Sequence, residues 1–290
     1  MNQMSFAAPK SVAGAVRLLA QNKGKSKVIA GGTDLLVQLR TGRIKPQLII
    51  DIKNIKETYR ISKEKGGVRI GAAVSGATLG ECQYVRDNWP GILEALELIG
   101  STQIQGRTSL GGNLCNGSPA ADSVPAMIAN EATCRIAGPY GKRDVKVEAF
   151  VKGPGKTILK RDEMLTSIYL PKHPVRSSSA YLRLIPRTEM DIAVVGAGAF
   201  LTLDKNNKCV AARICLGAVA PKATLVKAAT KILKGKEIDE KTLAELTLAC
   251  QVACDPINDT RGTIQYRTKV AGVLAKRAVQ IAKDRIIRNS

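Results

Sequence analysis

With 290 residues, 44% hydrophobic and 24% charged, the chain is neither disordered nor of low complexity and has room for two or three compact units. A formal net charge of +21 raises the question of an acidic partner, but every third of the chain carries an excess of Lys and Arg, so the charge is a spread surface and not a binding tail. Aromatic residues at 3% leave few platforms for stacking bases, and no nucleic-acid partner is expected.

No stretch approaches the roughly 18 uninterrupted apolar residues of a membrane span, and the opening segment MNQMSFAAPKSVAGAVRLL lacks a signal-peptide core. A cytoplasmic protein without membrane insertion is expected. The cysteines at 82, 115, 134, 209, 215, 250 and 254 show no C-x-x-C spacing and read as free thiols. Cys250 and Cys254 lie four apart on a predicted helix, but with the single His173 far away they make a poor ligand set, and no metal site is expected.

In chain order, residues 11–22 place Val12, Ala15, Val16, Leu18 and Leu19 on one face behind Ser11 as N-cap, which predicts a helix. Residues 27–30 predict a short buried strand, stopped by Gly31-Gly32 and followed by a helix from Asp34. Residues 47–52 predict a second strand, apolar enough for a sheet covered on both faces. Residues 1–55 therefore read as a small α/β lobe.

From Val68 the pieces shorten: VRIGAAVSGATL, a helical WPGILEALELIGS, then a loop rich in Gly and Asn. Strands over 132–136 and 167–170 bracket a charged section. The prolines and serines of LPKHPVRSSS predict a linker, with a boundary near Lys172. Beyond it, residues 192–203 and 210–216 predict two strands joined by a turn at Asp204-Lys205-Asn206-Asn207, followed by helices over 221–233, 239–254 and 262–282. The class is α+β, with a first domain over 1–172 (lobes 1–55 and 56–172) and a second over 173–290.

A strand that runs into a glycine pair and then a helix turns backbone N–H groups outward where the helix dipole is positive, and phosphate is the natural ligand. Val28, Ile29 and Ala30 end the strand; Gly31 and Gly32 permit positive φ and close approach of an oxygen; Thr33 adds a hydroxyl, and Asp34 and Leu35 open the helix. By itself this turn fits a plain strand-to-helix connection equally well. A second segment, Thr108-Ser109-Leu110-Gly111-Gly112-Asn113, supplies further donors, and two such loops can clamp one pyrophosphate. Its continuation to Ser123 is polar and turn-rich, with Asp122 able to accept from a sugar hydroxyl. A surface loop is the alternative there, although one of that length inside a compact domain is more often functional.

Ala30-Gly31-Gly32-Thr33-Asp34-Leu35, then Ser109-Leu110-Gly111-Gly112-Asn113 and Ser118-Pro119-Ala120-Ala121-Asp122, resemble the paired signature of the FAD-binding (medium) subunit of the xanthine dehydrogenase and carbon monoxide dehydrogenase family of molybdenum hydroxylases. The similarity runs the length of the chain, through Glu163-Met164-Leu165-Thr166-Ser167-Ile168 and from Tyr181-Leu182-Arg183 to Asp191-Ile192-Ala193. It implies a two-part FAD-binding domain of the type found in vanillyl-alcohol oxidase, followed by a small C-terminal domain of antiparallel sheet and helices. By resemblance, Val28 to Leu35 and Thr108, Ser109, Gly111, Gly112 and Asn113 contact the FAD diphosphate and ribityl, and Asp122 meets a cofactor hydroxyl. Leu165 and Arg183 then lie near the flavin or adenine end, Arg183 standing where relatives often have lysine, and Tyr181 covers the isoalloxazine or packs as a core residue at the domain seam.

The resemblance also implies partners: a molybdenum-cofactor large subunit that hydroxylates the substrate and a [2Fe–2S] small subunit that relays electrons, assembled as a dimer of heterotrimers. The flavin passes the electrons to an external acceptor such as NAD or a quinone. The chain lacks the cysteine spacing of an Fe–S cluster and an evident base and nucleophile pair, so no catalytic acid or base is assigned. The competing reading is a self-sufficient FAD-dependent oxidoreductase of the same fold.

Overall fold

A computed structural model describes residues 4–289. The first lobe comprises β1 (Ser5–Ala7), α1 (Val12–Gln21), β2 (Ser26–Ile29), α2 (Leu35–Arg40) and β3 (Leu48–Asp51), with the strands in a parallel sheet of order β1-β3-β2. The Ser11 hydroxyl caps α1 by accepting from the Gly14 N–H at 3.1 Å. The buried face of α1 is Val12, Ala15, Val16 and Leu19, packed with Leu48, Ile50, Ile52 and Ile55 into one core. Each buried Val, Leu or Ile side chain of this core contributes about 1.5–3 kcal/mol by leaving water. β2 begins one residue before its predicted start and ends before Ala30, whose carbonyl is taken by the Lys53 ammonium.

The second lobe runs through α3 (Lys56–Tyr59), β4 (Ile61–Glu64), β5 (Gly67–Gly71), α4 (Gly76–Gly80), α5 (Gln83–Asn88), α6 (Pro90–Glu97), α7 (Thr102–Gln105), α8 (Leu110–Cys115) and α9 (Ser123–Ala129). It continues with β6 (Thr133–Gly138), β7 (Gly141–Lys146), α10 (Val147–Phe150), β8 (Val151–Gly153), β9 (Lys156–Thr157) and β10 (Met164–Leu170). Its five-stranded antiparallel sheet has the order β4-β5-β10-β6-β7, so β10 is the central strand, setting Ser167 beside Gly71 of β5 on one side and Arg135 of β6 on the other. The β4–β5 hairpin escapes the periodicity reading because its strands are short and half polar. Lys65 and Gly66 make its turn with φ of 48° and 76°. The stretch expected as a glycine- and Asn-rich loop instead contains α8 and the start of α9.

The C-terminal part is β11 (Ser177–Leu184), β12 (Val195–Leu203), β13 (Cys209–Gly217), β14 (Thr224–Leu225), α11 (Lys227–Leu233), α12 (Glu240–Val252) and α13 (Ile264–Arg288). The four strands form an antiparallel sheet in chain order. Three features of this part differ from the sequence expectation. All three serines assigned to a linker belong to β11, the helix predicted from 221 starts at Lys227 because residues 224 and 225 pair with β13, and the last helix runs on to Arg288. The predicted turn between β12 and β13 is present, with Asp204 Oδ1 accepting from the N–H groups of Asn206 at 2.8 Å and Lys208 at 2.9 Å.

Every residue of β12 is buried, because α13 covers one face of the sheet and α9 the other. The glycines of its GAGAF run permit the second contact: a Cβ on Gly198 would lie 2.8 Å from the Pro125 carbonyl, and one on Gly217 of β13 2.7 Å from the Pro125 ring. α6 docks on β11 in the same way, with the Gly91 N–H donating to the Ser179 hydroxyl at 3.3 Å. Glu94 of α6 accepts from the Tyr181 N–H at 2.8 Å and pairs with Arg285 of α13, which also donates to the Ser179 carbonyl at 2.7 Å. These contacts fix the second lobe against the C-terminal sheet.

Candidate cofactor site

β2 delivers the chain into Gly31-Gly32, and α2 carries it away. A Cβ on Gly31 would sit 1.6 Å from the Arg107 carbonyl oxygen, so this glycine is demanded by the 107–108 segment packed against it. Gly32 has φ +82°, the left-handed region that favours glycine. The N–H groups of Gly31, Gly32, Thr33 and Asp34 find no acceptor among the described residues, which leaves four adjacent backbone donors unspent. Asp34 precedes α2 as predicted, but its backbone is already helical and its carboxylate makes no cap bond. It opens onto the neighbouring cavity, and burial of its surroundings raises its carboxyl above the usual range.

The second glycine segment is built differently from the expected turn. Ser109 caps α8, its hydroxyl accepting from the Gly112 N–H at 3.0 Å, and Gly111, Gly112 and Asn113 lie inside that helix. Gly111 is required by packing, since a Cβ there would come 2.4 Å from the Ala72 carbonyl. The Asn113 carboxamide accepts from the Ser123 N–H at 3.2 Å and hydroxyl at 2.7 Å, which ties α8 to the start of α9.

Between the two segments lies a cavity of about 390 Å³. Its walls include Val28 to Leu35, Thr108, Ser109, Gly111 to Asn113 and Leu165, which the fold thus brings together from three distant stretches. Among its other neighbours, Gln38 donates to the Asn116 carboxamide at 3.2 Å and so links α2 to the end of α8. Cys115 is an exposed free thiol that opens onto the cavity. Lys27, Arg107, Lys160 and Arg161 add positive charge to the wall, whereas Glu163 is held by Arg143 at 2.9 Å, a bond that keeps its carboxyl below the usual range. Sequence reading missed Ser26, Gln38, Cys115, Asn116 and the basic residues, because isolated polar positions carry no periodicity.

The wall fits a polar, anionic ligand on two independent grounds. Besides the unspent donors, the hydroxyls of Thr108 and Ser26 are buried at 4% and 8% exposure, border the cavity and lack any hydrogen-bond partner among the described residues. A dinucleotide supplies phosphate oxygens for the first and further polar atoms for the second.

Asp122, Tyr181 and Arg183 are brought together, but none of them lines this cavity. Tyr181 is 2% exposed and its hydroxyl donates to Asp122 Oδ1 at 2.9 Å, while Arg183 Nη1 donates to Oδ2 at 2.9 Å. Burial raises the Asp122 carboxyl even though Arg183 and Tyr181 oppose that shift, and it raises the Tyr181 phenol well above its ordinary value. His173 packs between Trp89 and Phe200 with Nε2 3.0 Å from the Asn130 carboxamide oxygen, and burial brings its pKa down to about 4. The Cys254 thiol donates to the Cys250 carbonyl at 3.2 Å. Among the described residues no group of three His, Cys, Asp or Glu is placed to hold a metal ion, and no helix is long and apolar enough to cross a membrane.

Residues 2–173 match the family described as the FAD binding domain in molybdopterin dehydrogenase, and residues 180–282 match the CO dehydrogenase flavoprotein C-terminal domain. The chain is similar to the carbon monoxide dehydrogenase medium chain of Afipia carboxidovorans, at 33% identity over 277 residues and 96% of each chain. It is 30% identical over 280 residues to a putative xanthine dehydrogenase FAD-binding subunit of Escherichia coli, covering 96% of this chain and 95% of that one. Its structure superimposes on a chain of the reconstituted CO dehydrogenase from Oligotropha carboxidovorans with a TM-score of 0.94, at 32% identity and 98% coverage of both. For quinoline 2-oxidoreductase from Pseudomonas putida the TM-score is 0.91, at 29% identity and 98% coverage of both.

Proposed function

The chain belongs to the FAD-binding subunits of the xanthine dehydrogenase and carbon monoxide dehydrogenase family of molybdenum hydroxylases, and from that premise we propose that it is an electron-transfer subunit working in the cytoplasm. FAD, its cofactor, supplies the redox chemistry, accepting electrons from a [2Fe–2S] small subunit and yielding them to an external acceptor such as NAD or a quinone. The substrate is hydroxylated on a molybdenum-cofactor large subunit, and the three chains assemble as a dimer of heterotrimers. The excess positive charge of this chain suits acidic partner surfaces.

The single observation that carries this reading is the cavity between the two glycine segments, where the N–H groups of Gly31 to Asp34 and the Thr108 hydroxyl have no partner among the described residues. In it the N–H groups of Gly31 to Asp34 hold the diphosphate and Thr108 adds its hydroxyl. Val28, Ile29, Ala30, Leu35, Ser109, Gly111, Gly112, Asn113 and Leu165 shape the remaining wall. Asp122, Tyr181 and Arg183 connect to the site through α9: Asp122 precedes that helix, whose Ser123 donates to Asn113. The FAD-binding portion is assigned to residues 1–172, with lobes divided near 55, and the C-terminal domain to 173–290. This division is supported by β10 and β11 lying in different sheets.

Purification of the assembled enzyme from its source, with absorption spectra and partner identification, tests the assignment. The isolated chain is expected to bind FAD and to show at most diaphorase activity. Substrate turnover by the chain alone would replace this reading with a self-sufficient oxidoreductase, and a colourless chain that cannot be reconstituted with FAD would remove it.

A further inference from the structure

At the C-terminal ends of β2 and β3, one side chain holds the carbonyl on which the glycine turn pivots. Lys53 Nζ donates to the Ala30 carbonyl at 2.9 Å and to the two Asp51 carboxylate oxygens at 2.8 and 2.9 Å. Asp51 Oδ1 also accepts from the Lys53 backbone N–H at 2.9 Å. The two-residue spacing thus closes a small ring in which the carboxylate, 15% exposed, aims the ammonium across to β2.

Parallel pairing sets Ile29 beside Asp51, and the Ile52 N–H to Ile29 carbonyl bond at 3.2 Å is the last between these strands. Ala30 is the first residue past the ladder, and Lys53 fixes its carbonyl where a strand neighbour no longer can. A trans peptide unit is planar with its C=O and N–H opposed, so holding the Ala30 carbonyl also sets the direction of the Gly31 N–H. That N–H is one of the unspent donors at the cavity, and Gly31 has little freedom to readjust because a Cβ there would already overlap Arg107.

We propose that Lys53 is a positioning residue for the phosphate-binding turn, acting through the Ala30 carbonyl with Asp51 aiming its ammonium. The proposal rests on the reading that the FAD diphosphate lies at this turn. Neither residue touches the ligand in this account; they set the direction of a donor before it arrives, which lowers the cost of binding.

The test uses the full chain freed of flavin for FAD affinity, followed by flavin fluorescence, and the same chain saturated with FAD for amide exchange at Gly31, whose N–H is protected only when the ligand accepts from it. Lys53→Met is expected to weaken FAD about tenfold and to speed exchange at Gly31, whereas Lys53→Arg, which keeps a charged donor, stays within about threefold of the parent. Unchanged affinity in Lys53→Met overturns the proposal. So does an equal loss in both variants, and so does a loss without faster exchange at Gly31, which would assign the effect to charge alone. If Lys53→Met fails to fold, Asp51→Asn takes its place: a smaller loss with faster exchange supports the proposal and parental affinity overturns it. A parent chain that binds no FAD would instead remove the cofactor reading itself, so the two failures are distinguishable.

Discussion

The Tyr181 hydroxyl donates a 2.9 Å hydrogen bond to Asp122 Oδ1, joining β11 of the C-terminal sheet to the residue that precedes α9. Arg183 takes the other carboxylate oxygen, and both contacts lie out of water. A buried carboxylate is tolerated only when its oxygens are satisfied. Tyr181→Phe is therefore expected to lower stability by about 1–3 kcal/mol. Because neither residue lines the cavity, FAD affinity should move by less than about threefold. Denaturant titration alongside flavin binding checks this; a large affinity loss with little change in stability would show that the hydroxyl reaches the flavin.

Gly31 supports a sharper contrast. Gly31→Ala sets a methyl 1.6 Å from the Arg107 carbonyl, which must drive the two cavity segments apart. Loss of FAD binding by at least about a hundredfold is expected, with a lowered Tm. Gly153→Ala is the control, since a Cβ there meets nothing within 4 Å and its φ is ordinary. Flavin content per chain after purification distinguishes them, and equal flavin in both would contradict the packing argument.

The turn at 30–35 was legible because strand, glycine pair and helix follow one another locally, and Ser11 was legible for the same reason. What escaped depends on distant partners. α8 contains two glycines, poor helix formers, and forms because Ser109 caps it and Gly111 lies against Ala72. The serines of β11 look like a linker until Ser179 is seen to accept from Gly91 and the strand to pair with β12 along its length. Asp122 stands in the sequence as a lone acceptor, and no spacing rule links it to Tyr181 and Arg183, some sixty residues on. Lys53 carries no local signal at all.

The seam between α6 and the C-terminal sheet rests on Glu94, which receives both the Tyr181 N–H and the Arg285 guanidinium. Glu94→Ala leaves a backbone donor and a half-buried cation without their acceptor, and a loss of about 2 kcal/mol is expected. Glu94→Gln keeps one acceptor oxygen and should lose less. A double-mutant cycle with Arg285→Ala checks the pairing, because independent sites would give additive losses.

His173 makes the fold sensitive to acid. Its folded-state pKa is about 4, depressed from the ordinary 6.5 by burial between Trp89 and Phe200. The neutral ring is thus favoured in the folded chain, and its contribution is fully present above pH 6.5 and lost as pH falls to about 4. The loss from this group is at most about 3 kcal/mol. His173→Gln should flatten stability over that window relative to the parent, measured as the urea midpoint at successive pH values. Parallel curves for the two proteins would rule out His173 as the source.

Thr108 separates stability from binding because its two expected effects have opposite sign. Its hydroxyl is buried, borders the cavity and has no partner among the described residues, so in the flavin-free chain it is a desolvated donor with nothing to bond. Thr108→Val removes that hydroxyl at nearly constant shape, and the flavin-free chain should be unchanged or more stable, by up to about 1 kcal/mol. With FAD present the same hydroxyl is expected to serve the ligand, and its removal should weaken affinity about five- to tenfold. The parent should therefore gain more from added FAD in Tm than the variant does, although the variant starts level or higher. Equal FAD-induced shifts in the two proteins would show that the hydroxyl does not face the ligand. A lowered Tm in flavin-free Thr108→Val would instead mean that the hydroxyl has a partner within the folded chain.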